Sequence, residues 1–126
     1  KGLLPPWFNE GLAEYEAWKH EAPPWTLLRE AAAQARLLPW QALSTQFSAS
    51  ATTMQAGLAY EQAHNIVRYL VERHSFWRIK RLLKAVGEGT PFEQALQAEY
   101  RLKLTRLEEN WRAWLQELLA ISPAAP

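Results

Sequence analysis

Pro6-Trp7-Phe8-Asn9-Glu10-Gly11-Leu12-Ala13-Glu14-Tyr15 is the stretch from which the fold is read. Proline at the first helical position is tolerated, because a first-turn N–H has no intrahelical partner to lose. Leu12, Tyr15 and Trp18 then form an apolar stripe at helical spacing. The expectation is a helix from Pro6 to His20, stopped by Pro23-Pro24. Glu10 and Glu14, four apart, project from one face of it. Two like charges so placed cost roughly a few tenths of a kcal/mol on a solvated helix. Apolar neighbours predict partial burial for Glu10, and a carboxylate in that setting wants a cation. Gly11 lowers helix propensity by about 1 kcal/mol relative to Ala. Close approach of a second element is the usual reason to accept that loss.

Outward from this stretch the pattern stays helical. Ala, Leu, Glu, Gln, Arg and Trp dominate, and alternation with period two is scarce. A second helix is expected from a Thr26 cap to Leu38, before Pro39. Residues 39–53 read as an irregular connection. A long helix follows over Met54 to His74, with Leu58, Ala59, Ala63, Ile66, Val67, Leu70 and Val71 on its apolar stripe. A shorter one runs from Phe76 to Val86, closed by Gly87 and Gly89. Thr90 with Glu93, and Thr105 with Glu108, read as capping boxes for the last two helices. The fold class is all-α, with five to six helices in a single domain over 1–122 and a disordered tail at 123–126.

Composition removes several function classes. The 126 residues, 48% hydrophobic, are enough for one sizeable core. A formal net charge of +1 gives no strong overall field toward nucleic acid or an anionic membrane, and no nucleic acid is expected as partner. Cysteine is absent, so thiolate metal sites and cysteine nucleophiles are excluded. All thirteen acids are Glu, which excludes a Ser-His-Asp triad built from this chain. Five glycines form no phosphate-binding loop motif. No apolar run is long enough to predict a transmembrane helix. Arg78, Lys80, Arg81 and Lys84 alternate with Ile79, Leu82, Leu83 and Val86, the pattern of an amphipathic helix with a solvated basic face. Trp111 and Trp114 belong to the buried stripe of the last helix, while Trp25 and Trp40 flank loops.

Trp7-Phe8-Asn9-Glu10-Gly11-Leu12-Ala13-Glu14-Tyr15 resembles the W-x-N-E-G-x-A-x-[YF] helix of gluzincin zinc metallopeptidases of the peptidase MA-like type. The likeness continues through Tyr60-Glu61-Gln62-Ala63, Val67 to His74, Phe92 to Leu96 and Trp111 to Leu115, so it covers most of the chain as a C-terminal half. In those enzymes an upstream H-E-x-x-H helix gives two zinc-binding His and a general base. The resemblance implies that Glu10 is the third zinc ligand and Glu14 an acid that orients a ligand His. It implies that Tyr60 donates to the oxyanion formed on the substrate carbonyl, with His64 an auxiliary donor one turn on. Ala63 stands where many relatives carry Gly.

The pattern also departs from that family. His20-Glu21-Ala22-Pro23-Pro24 holds the only His-Glu pair, with Pro at the second His position. Two prolines do not sit inside a zinc helix. The chain opens at Lys1, and the expectation is a fragment whose other ligands lie upstream. Alone, it is expected to hold no zinc tightly and to be inactive, its zinc and its peptide or protein substrate belonging to the parent. The alternative is a non-catalytic helical scaffold or interaction module on the same fold. Without the upstream cover, Trp7, Phe8, Leu12 and Tyr15 are expected to form an exposed patch. A homo-oligomer joined through the first helix or the 39–53 loop follows from that expectation.

Overall fold

The computed structural model describes residues 3–43 and 53–120. Among them are seven helices and no strand, which fixes the all-α class. In order they are α1 (Pro6–Ala17), α2 (Thr26–Ala33), α3 (Trp40–Leu43), α4 (Thr53–His74), α5 (Phe76–Gly87), α6 (Phe92–Tyr100) and α7 (Leu104–Leu119). None is long and apolar enough to cross a membrane. The expected tail at 123–126 lies outside the described residues.

α4 is the axis of the fold, and α1, α2, α5 and α7 all pack on it. It is buried on nearly every side from Ala59 to Leu70, as a helix enclosed by others must be. Three polar side chains inside that span, Gln62, His64 and Asn65, are buried too. Each has a partner, as a buried polar group without one costs free energy, although Asn65 Nδ2 is left without an acceptor. The Gln62 side-chain amide accepts from the Leu38 N–H and donates to the Leu38 carbonyl. Asn65 Oδ1 accepts from Trp111 Nε1 at 2.7 Å, which ties α4 to α7. His64 is taken up below.

Trp7 and Phe8 are not an exposed patch. They are 5% and 0% exposed and enter an aromatic cluster with Trp40 and Phe92. Trp40 in turn meets Trp111 at 6.0 Å between ring centroids. Leu12 and Tyr15 are half-buried against the same core. The chain covers the apolar side of α1 by itself, and the reason for expecting a homo-oligomer through α1 is gone.

Several boundaries differ from those expected. The first helix ends at Ala17 and the second at Ala33, both short of the predicted limits. The supposedly irregular 39–53 connection contains α3; residues 44–52 lie outside the described set. Neither predicted capping box forms. Pro91 and Lys103 occupy the N-cap positions of α6 and α7, and Thr105 lies inside α7. The caps come instead from other helices. Glu61 of α4 accepts the Leu28 and Leu27 N–H groups at the start of α2, at 2.9 and 3.3 Å. Gln97 of α6 accepts the Leu104 N–H at 2.9 Å, and Glu108 of α7 accepts the Trp40 N–H at 3.4 Å. Free N–H groups at a helix start need acceptors from somewhere, and here tertiary contacts provide them.

Candidate functional site

The Glu10 helix meets α4 where Gly11 lies against Ala63 and Val67. A methyl built on Gly11 would stand 2.6 Å from the Ala63 carbonyl oxygen and 2.8 Å from Val67 Cγ2. This is the close approach that a helical glycine predicts, and only a residue without Cβ permits it. The dock fixes α1 in rotation and height on α4. Glu10 and Glu14, on the neighbouring stripe of α1, are both half-buried. Among the described residues neither carboxylate makes an ion pair.

On α4, Tyr60, His64 and Arg68 follow at four-residue steps and share one stripe. Tyr60 lies one turn before the Gly11 contact and is 39% exposed. His64 is 1% exposed, its ring 4.8 Å from that of Trp25 and 6.5 Å from that of Tyr15. Arg68 Nη2 stands 3.2 Å from His64 Nε2. A guanidinium only donates, so Nε2 accepts and the imidazole proton sits on Nδ1. Burial, reinforced by the Arg68 charge, lowers the His64 pKa to about 4. At neutral pH the ring is therefore uncharged. Its burial separates it from Tyr60, which alone on this stripe reaches an open surface.

Arg68 is the residue that the sequence reading passed over. Its guanidinium lies over the rings of Tyr15 and Trp25, 5.6 and 6.0 Å from their centroids. It also donates to the Trp18 carbonyl at 3.0 Å and reaches the Glu21 carbonyl at 3.4 Å. These are the carbonyls just past the end of α1, where a cation is favoured. Gly11 thus sets the middle of α1 on α4, and Arg68 holds its end. The available signal was the spacing, since Arg68 is four residues beyond His64. Charge alone reads as surface, which is why the signal was missed.

The remaining histidines are elsewhere. His20 is exposed in the turn after α1. His74 lies between Tyr69 and Tyr100, at 5.8 and 5.1 Å. Burial, with Arg78 and Arg73 nearby, lowers its pKa, so it is a poor charged partner for the α4 dipole. Trp25 and Trp40 are buried, and Trp40 borders a hollow of about 650 Å3 together with Trp7 and Phe92. Among the described residues no group of three or more acids and histidines is arranged to hold a metal ion. A catalytic zinc takes three protein ligands.

A family model described as Peptidase MA superfamily matches residues 1–117 of the chain. No curated protein and no solved structure matches it.

Proposed function

This chain belongs to the Peptidase MA superfamily, and from that premise we propose that it is the third-ligand half of a gluzincin zinc peptidase. Glu10 is the ligand it contributes, and two His with a general base come from outside these 126 residues. Glu14, one turn along, orients one of those His. Tyr60 donates its phenolic proton to the oxygen of the substrate carbonyl as negative charge develops there. His64 acts from beneath, as a neutral packing and positioning group. Bound zinc would supply the polarisation of water and carbonyl that such sites use.

The observation that supports this reading is the half-buried, unpaired Glu10 beside the Gly11 dock. A protein has little reason to hold two same-face carboxylates partly out of water without a cation, unless the cation comes from elsewhere. The test is zinc content and peptidase activity of a polypeptide that joins this chain to its H-E-x-x-H segment. Glu10→Gln is expected to lose bound zinc. Tyr60→Phe is expected to keep zinc while kcat falls about 100- to 1,000-fold. Full zinc and full activity in Glu10→Gln would refute the proposal. The 126-residue chain alone is expected to show no tight zinc site by calorimetry.

One observation favours a second reading. Trp7 and Phe8 are enclosed by the chain's own core, so the fold does not need another segment to cover α1. That is what a self-sufficient helical scaffold without catalysis requires. Absence of any H-E-x-x-H segment in the gene would decide for it.

A further inference from the structure

The basic helix α5 leaves an aromatic on its outer face that the fold does not use. Ile79, Leu82 and Val86 point into the core. Trp77, Lys80, Arg81 and Lys84 recur at the spacing of the opposite face and are exposed. Trp77 is 65% exposed, whereas every other Trp of the seven is buried or half-buried. Beside it Phe76 is 37% exposed.

Charge gathers at the same place. Trp77 borders two adjoining hollows, the larger about 720 Å3 and open to solvent. Lys80, Arg81 and Lys84 line the larger, and Arg78 and Arg101 add two cations in the smaller. Only Glu88 and Glu99 oppose them. Five cations against two carboxylates leave an excess of three positive charges, in a chain whose total is +1. Arg81 pairs with Glu99 at 3.1 Å and Lys84 with Glu88 at 3.4 Å. The Lys84–Glu88 pair is exposed on both sides, and such pairs hold weakly and exchange readily for other anions, whereas the Glu99 side chain is only 11% exposed.

We propose that this face of α5 docks on an anionic membrane surface, with the Trp77 indole at headgroup level and Lys80, Arg81 and Lys84 on lipid phosphates. A single exposed indole with one flanking ring is too small an apolar core for a stable protein interface, which covers about 800 Å2 on each partner. It suffices at a bilayer interface, where a few aromatic side chains and a row of cations act together.

The test is co-sedimentation of the 126-residue chain with vesicles of phosphatidylcholine alone, and of phosphatidylcholine with an equal part of phosphatidylglycerol. Binding is expected on the mixed vesicles, weakening as salt is raised, and not on the neutral ones. Each cation near such a surface contributes about 1 kcal/mol, so the triple change Lys80→Gln, Arg81→Gln and Lys84→Gln is expected to weaken partitioning roughly 150-fold. The double change Lys80→Gln with Lys84→Gln leaves the Arg81–Glu99 pair intact, guards against misfolding, and is expected to weaken it roughly 30-fold. Brominated lipid should quench Trp emission in the wild type and not in Trp77→Ala. Equal binding to both vesicles, unchanged binding of the double variant, or binding to polyglutamate or duplex DNA with none to vesicles would overturn the proposal. Neither zinc nor Tyr60 enters this measurement, so its failure leaves the peptidase reading untouched.

Discussion

Gly11→Ala is the most exacting perturbation of the fold. The new methyl would stand 2.6 Å from the Ala63 oxygen, 2.8 Å from Val67 Cγ2 and 3.0 Å from the Ala63 carbonyl carbon. Two of these three atoms are backbone of the central helix, which cannot rotate aside, so α1 must back away from α4. Overpacking of this kind costs about 1–3 kcal/mol, and here the upper end applies. Against it stands the gain of about 1 kcal/mol in helix propensity on replacing Gly by Ala. The net expectation is a loss of roughly 2 kcal/mol, or about 6–10 °C in Tm for a chain this long. Gly57→Ala is the internal control. It sits on α4, and its methyl would meet only Leu27 Cδ1, the far end of a flexible side chain, at 2.8 Å. That variant should be neutral or slightly more stable. Urea melts followed by circular dichroism compare the two. A Gly11→Ala protein as stable as the wild type would refute the close approach of α1 and α4, and with it the dock beside Glu10.

Glu61→Ala removes the acceptor for two N–H groups at the start of α2, so a loss of about 1–2 kcal/mol is expected by the same melts. A change within error would show that water caps α2 equally well. The buried His64 predicts a pH dependence of stability. Its folded pKa of about 4 lies below the unfolded value of 6.5, so between those limits the unfolded chain binds more protons. The stability contributed by the neutral ring is complete above pH 6.5 and is lost as pH falls toward 4, on the order of 3 kcal/mol in all. His74 is shifted in the same direction and adds to the slope. His64→Gln should flatten the pH 4–6.5 limb relative to wild type; an identical slope in the variant would show that His64 does not titrate out of its site.

What the sequence made legible was whatever repeats along one helix. The stripe of α4 and the buried Trp111 and Trp114 of α7 follow from apolar spacing, and Gly11 announced its own close contact by being a poor helix former. What stayed hidden depends on pairs far apart in the chain. Thr90-Glu93 and Thr105-Glu108 carried the local signature of a cap, yet Gln97, Glu61 and Glu108 cap helices other than their own. A local motif competes with every acceptor that the fold brings near, and pattern alone cannot weigh that competition. Trp7 and Phe8 were misjudged for the same reason. Their cover is Trp40 and Phe92, from segments that the sequence reading treated as a loop and a helix start. Arg68 is the sharpest case. Four spaced partners, the Tyr15 and Trp25 rings, the Trp18 carbonyl and His64 Nε2, converge on one guanidinium whose side chain is only 12% exposed. A half-buried cation so enclosed, which also pairs with Glu72 at 3.9 Å, fixes the far end of the Glu10 helix as Gly11 fixes its middle. The candidate site thus rests on two residues that carry no chemistry in it. Glu10 and Tyr60, to which the proposed function gives chemical roles, are by contrast half-buried and exposed respectively.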